Sequence, residues 1–133
     1  MTRRGRAAAL SGVALAALAA GCTSPPGRDA VAGTADRWLA AASAGDPAAL
    51  CRLLTPAAAD AAATGDETCE QAVADLDLPG AGPVGAVAVW SDRAQVRTGG
   101  DTLFLTRFED GWRVSGAGWR PRGDRPYDCD LAG

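Results

Sequence analysis

Two halves of different texture predict an α+β domain, with two to three N-terminal helices packed on a curved antiparallel meander of about four strands. Between residues 31 and 76 apolar positions recur at helical spacing behind successive cap signals. Between residues 84 and 117 apolar and polar residues alternate between short Gly- and Asp-rich turns. Leu78-Pro79-Gly80-Ala81-Gly82-Pro83 separates the two halves, because neither helix nor central strand passes through such a stretch.

Val31, Ala35, Trp38, Leu39 and Ala42 fall on one face of a first helix, which Gly45 is placed to end. Asp46-Pro47 then reads as an N-cap with proline at the first helical position, where its missing N–H costs nothing, and Leu50, Leu53 and Leu54 form the stripe of a second helix. Thr55-Pro56 repeats that signature and re-initiates helix through residues 57–63, until Thr64-Gly65 stops it. Asp66 is the expected cap of a further short helix carrying Cys69, Ala72, Val73 and Leu76 on one side.

The strand half starts at Val84. Val87 and Val89 are expected to face one way and Ala86, Ala88 and Trp90 the other, with Ser91-Asp92-Arg93 turning the chain. Ala94 and Val96 alternate with Gln95 and Arg97. After Gly99-Gly100-Asp101, Leu103 and Leu105 oppose Phe104 and Phe108, and Glu109-Asp110-Gly111 leads into a last strand ending at Ala117. Turns this short imply an antiparallel meander.

The opening MTRRGRAAALSGVALAALAAGC has a basic start, an apolar run from Ala7 to Ala20 and small residues before a cysteine, the layout of a secretory signal. At roughly 14 residues the run is too short to cross a bilayer stably, which takes about 20. Ala19-Ala20-Gly21-Cys22 resembles the bacterial lipobox, which implies that residues 1–21 are removed and that Cys22 carries the acyl chains. Two chains suffice for stable anchoring. Residues 22–29 read as a flexible tether, given Thr23-Ser24-Pro25-Pro26-Gly27, and residues 30–133 as a single domain. The expected location is the extracytoplasmic face of the cell membrane. Arg3-Arg4 also suggests twin-arginine export, although Arg6 stands where that motif prefers an apolar residue.

All 13 basic residues are arginine and there is no histidine. Without the leader, ten arginines stand against 16 acidic residues, a net charge of minus six that disfavours nucleic acid and anionic lipid as partners. The missing imidazole removes the usual general base near neutral pH and the commonest metal ligand, so no triad, zinc-water site or Cys/His nucleophile pair is expected. No cofactor and no metal are implied.

Helices first, a Pro/Gly break, then a meander ending in Asp110-Gly111-Trp112-Arg113-Val114 resembles small bacterial lipoproteins with a nuclear transport factor 2-like fold. The resemblance covers roughly residues 30–133, and the tail from Trp119 to Cys129 adds to it. It implies a cone-like sheet wrapped around helices, and in some relatives an Asp working with His or Tyr in the cavity.

Beyond Cys22 the chain has Cys51, Cys69 and Cys129, and three thiols cannot all pair. A Cys51–Cys69 bridge would staple the helical layer by closing a loop of about 18 residues; the alternative is two separately buried thiols. Cys129 is then a free thiol or an intermolecular link. No C-x-x-C spacing points to redox chemistry.

For catalysis, Tyr127 is the only tyrosine and lies in the tail, while Asp92, Asp101, Glu109 and Asp110 all fall in turns, where acids are expected to be solvated. Trp38, Trp90, Trp112 and Trp119 suit a core better than a ligand pocket. Arg97, Arg107 and Arg113 could form a basic stripe for an anion, with solvated edges paired to Asp101 or Glu109 as the plainer reading. Arg122-Gly123-Asp124 matches an adhesion tripeptide only in its letters. Arg120, Arg122, Arg125 and Tyr127 form the best candidate partner surface, in a tail otherwise expected to be an ordered loop closing over the sheet. The expected function is thus a non-enzymatic, membrane-anchored accessory domain that binds an envelope protein or a small ligand. The rivals are a small enzyme with a carboxylate in a cupped cavity and a purely structural envelope protein.

Overall fold

The computed structural model describes residues 27–79, 82–118, 120–122, 125–128 and 131–133, with the side chains of 120–128 outside the description. The leader, Cys22 and the first part of the tether lie outside the described residues. Within them, a layer of four helices is followed by an open five-stranded antiparallel sheet.

Helix α1 (Arg28–Ala44) begins two residues inside the expected tether and ends at Gly45, whose left-handed φ of 60° lets its N–H reach back to the last carbonyls. Its apolar stripe buries Val31, Ala35, Trp38 and Leu39. Helices α2 (Pro47–Leu53) and α3 (Pro56–Ala62) both start on the expected cap-plus-proline pair. Asp46 accepts from the Ala49 N–H at 3.0 Å and Thr55 from the Ala58 N–H at 3.1 Å.

Helix α4 (Cys69–Ala74) departs from expectation, since its cap is Thr68 and not Asp66. The Thr68 hydroxyl accepts from the Gln71 N–H at 3.2 Å and the Gln71 side chain accepts from the Thr68 N–H at 2.8 Å. This reciprocal capping box satisfies two amides where Asp66 would satisfy one.

Strands β1 (Val84–Trp90), β2 (Arg93–Thr98), β3 (Thr102–Phe108) and β4 (Gly111–Ala117) form the meander, joined by tight turns. The first turn places Ser91 at a φ of 52°, the left-handed geometry that suits two-residue hairpins. Pairings Val89↔Ala94, Val96↔Leu103, Ala94↔Leu105 and Leu105↔Val114 put the expected apolar set on one face. Register shifts interrupt the β1–β2 pairing between Val84 and Val87 and the β3–β4 pairing between Phe104 and Leu105. Gly85 lies in the first irregularity so close to β2 that a β-carbon there would come within 2.9 Å of the Arg97 carbonyl oxygen.

Three strands go beyond the expected four. Leu131–Ala132 forms β7, which extends the sheet beside β4 through Gly116↔Ala132 and Ala117↔Leu131. The tail, expected to be a loop, forms a separate hairpin of β5 (Arg120–Arg122) and β6 (Arg125–Asp128).

The helices cover the apolar face. α1 packs on β1, β2 and β4, while α3 packs on β4 and β7. The joint between α2 and α3 is fastened to the sheet by the Thr55 N–H, which donates to the Val114 carbonyl at 2.9 Å. Trp38, Leu54, Leu103, Leu105, Val114 and Leu131 fill the space between the layers. The fully buried Trp38 keeps its indole N–H without an acceptor among the described residues, so this ring contributes through its area alone.

Candidate functional site

Cys51 sits on the last turn of α2 and Cys69 opens α4, a placement that brings their Cα atoms to 6.2 Å. The two form a disulfide across 18 residues of sequence. The bridge ties together two helices too short to hold their places alone. It lies in the helical layer, away from the sheet's polar face.

The arginine stripe does not assemble as one surface. Arg97 and Arg113 lie on the face of the sheet opposite the helices, and Arg107 shares the column of Leu103 and Leu105 at the other side. Arg107 lies over the Trp112 ring, 6.0 Å from its centroid, and Arg113 over the Phe108 ring at 5.7 Å. Arg113 pairs with Asp110 at 2.6 Å rather than with Asp101 or Glu109, because the tight β3–β4 turn places Asp110 three residues before it.

That hydrogen bond, together with the guanidinium charge, holds the Asp110 carboxyl below the ordinary 3.8. A lowered carboxylate stabilises the folded state above the unfolded value, and the contribution disappears as pH falls through the folded one. We therefore expect the Asp110 carboxyl carbon to titrate below 3.8 by NMR and to return towards it in Arg113→Ala. An unchanged midpoint in that variant would show that the pair has no electrostatic effect.

Asp101 overturns the expectation that every turn carboxylate is solvated. It is only 8 % exposed. One carboxylate oxygen accepts from the Thr102 N–H at 2.7 Å and the other from the Gly118 N–H at 2.8 Å, tying the β2–β3 turn to the end of β4. The Thr98 hydroxyl accepts from the Asp101 N–H at 3.0 Å and so secures the same turn from within. With both oxygens occupied by backbone donors, this carboxylate is a clamp. It is the one buried acid among the described residues.

The tryptophans divide as their positions dictate. Trp38 and Trp112 are buried and Trp90 is 54 % exposed, while Trp119 lies outside the described residues. Of the proposed partner surface, Arg120 and Arg122 lie on β5 and Arg125 and Tyr127 on β6, with Arg122 and Arg125 paired in register. The strand pairing therefore brings those backbone positions together. Cys129 lies outside the described residues.

Two hollows open on the helical side. A groove of about 420 Å³ between α1 and α2 has an alanine floor with Arg37, Asp46 and Arg52 at its margins. A smaller one of about 210 Å³ is lined by α1, α2 and α4, with Leu50, Val73, Leu76 and Leu78 as its apolar walls. Neither borders Asp101. Among the described residues no group of His, Cys, Asp or Glu is arranged to hold a metal ion, and no helix is long and apolar enough to cross a membrane.

Fold and site together define an α+β domain with a disulfide-stapled helical layer on an open antiparallel sheet. In comparisons with known proteins, no family model, curated protein or solved structure matched the chain.

Proposed function

We propose that this protein is a lipoprotein of the bacterial cell envelope, anchored by acylated Cys22 on the outer side of the membrane, whose nuclear transport factor 2-like domain acts as a non-enzymatic accessory module. The observation that carries the non-enzymatic part is the state of Asp101. A catalytic carboxylate must be reachable by substrate, whereas this one is buried, holds two backbone amides and borders neither hollow, and the interlayer space is filled by side chains. Among the described side chains, the rival, a small enzyme with a carboxylate in a cupped cavity, would have to use an acid other than Asp101, and none of those is buried.

The fold assignment draws on the order of elements, helices before a meander, and on α1 crossing three strands of one sheet face. The anchoring draws on the basic start, apolar run and Ala19-Ala20-Gly21-Cys22. What the module binds is an envelope protein or a small ligand. The α1–α2 groove and the β5–β6 hairpin are the surfaces offered.

Expression of the full chain with a labelled fatty acid tests the anchor. Wild type is expected in the membrane fraction with label, and Cys22→Ala without label and no longer held there. Label retained by Cys22→Ala would overturn the assignment. Gentle cross-linking of the same membranes is expected to recover a stoichiometric neighbour, and recovery of the chain alone would count against the accessory role.

A further inference from the structure

Both hairpin turns that join β1 to β2 and β3 to β4 lie at one end of the sheet, and the chain enters α1 at that same end. Gly27 is positioned so that a β-carbon on it would lie 3.6 Å from the Trp112 ring and 4.0 Å from Val89. This rim carries the two large apolar side chains that the described surface leaves exposed, Trp90 at 54 % and Phe108 at 39 %. Both project from the face opposite the helices, as the register Trp90↔Arg93↔Thr106↔Arg113 and the stacking of Arg113 on Phe108 require. The Arg107 N–H donates to the Asp92 carbonyl at 2.8 Å and ties the β1–β2 turn to the end of β3 that leads into the β3–β4 turn.

We infer that this rim is a second membrane contact, with Trp90 and Phe108 seated in the interfacial zone of a phospholipid bilayer beside the lipid on Cys22. The inference rests on the acylation of Cys22. Five peptide units separate Cys22 from Gly27, so the anchor lies no more than about 19 Å from the residue at which the chain reaches the rim. A seven-residue strand is about 23 Å long, so even a fully extended tether does not reach from Gly27 to the end with Asp101, and its point of attachment favours this end of the sheet as the one set against the headgroups.

The chemistry of the rim fits that position. An indole with an apolar body and a polar N–H prefers the boundary between acyl chains and water, and arginine stems lie along apolar surface with their heads in the wet layer. Around the two turns and the start of α1, the described Arg28, Arg93, Arg107 and Arg113 equal Asp29, Asp92, Glu109 and Asp110 in number, so these positions sum to no net charge although the chain from Cys22 onwards is strongly acidic. A neutral rim meets a headgroup layer containing anionic lipid without the repulsion that the acidic remainder of the surface would bring.

The acylated full-length product, extracted from membranes, is reconstituted into phosphatidylcholine vesicles with brominated acyl chains, and tryptophan fluorescence is compared with that in unbrominated vesicles. Wild type is expected to be quenched with a blue-shifted emission, and Trp90→Phe, which keeps an apolar ring, is expected to lose the larger part of the quenching while still floating with the vesicles. Absence of quenching in the acylated wild type overturns the contact, including the case in which sedimentation shows the rim buried against a second copy of the chain. Full quenching in Trp90→Phe overturns it as well, because another indole would then face the lipid. Intact mass keeps the two readings apart: a Cys22 without lipid removes the anchor and this contact together, whereas an acylated but unquenched protein removes the contact alone.

Discussion

Replacing Cys51 and Cys69 together by alanine is expected to lower the stability of the domain by about 3 kcal/mol, the chain-entropy contribution of a loop of this length. In a domain of about 100 residues that loss displaces the thermal midpoint by roughly 12–24 °C. The effect is large because α2 and α4 have 7 and 6 residues, each too short to persist without tertiary support. The bridge spans 18 residues that include all of α3, so opening it releases the Thr55–Val114 fastening and the packing of α3 on β7 from their closest constraint. Thermal melting by far-ultraviolet circular dichroism, oxidised wild type against the double variant and against reduced wild type, gives the measurement. Coincident melting curves would show that the apolar contacts of α4 alone hold the helical layer.

Asp101→Ala should cost a similar amount for a different reason. Truncation strips the acceptor from the Thr102 and Gly118 amides while leaving both buried, and each such donor costs about 1–3 kcal/mol. The expected total is roughly 2–6 kcal/mol, read as a shift of the urea midpoint at constant slope. Asp101→Asn should fall between the variant and wild type, since its amide offers one oxygen where the carboxylate offers two. Hydrogen exchange adds a local signature: the Thr102 and Gly118 amides are expected to lose protection before the rest of β3 and β4. A change within about 0.5 kcal/mol, typical of a surface position, would mean that the clamp is replaced by water at no cost.

The two predictions differ in what could have been foreseen. Cys51 and Cys69 stand in two segments with clear helical periodicity, so proximity follows from packing adjacent short helices, and the bridge forms where the sequence pattern suggests it. Asp101 follows Gly-Gly in a hairpin turn, a setting in which nearly every acid is solvated. Its burial depends on Gly118, 17 residues later, arriving with its N–H directed at the carboxylate. No local pattern encodes that arrival.

The same contrast runs through the remaining elements. Asp46-Pro47 and Thr55-Pro56 mark helix starts because a side-chain oxygen and a preset φ act within three residues, and the alternation of Val87, Val89, Ala94, Val96, Leu103 and Leu105 marks a half-buried sheet because side-chain direction repeats every two residues. Thr68-Cys69-Glu70-Gln71 carried an equally local signal, the capping box, that a reading centred on Asp66 passes over. β7 is different in kind. Two residues cannot show a period, and Leu131 and Ala132 become a strand only because the edge of β4 offers them unpaired backbone groups.

Local chemistry along the chain thus specifies the caps, the strand alternation and the α+β class, since each depends on residues within a turn or two of one another, and it is local pattern too on which the proposed leader and Cys22 anchor rest. Long-range assembly settles the clamp at Asp101, the fifth strand and the gathering of Trp90 and Phe108 at the end where the chain enters α1. Those features arise from the register of strands that meet across tens of residues, and a register exists only once the sheet has formed.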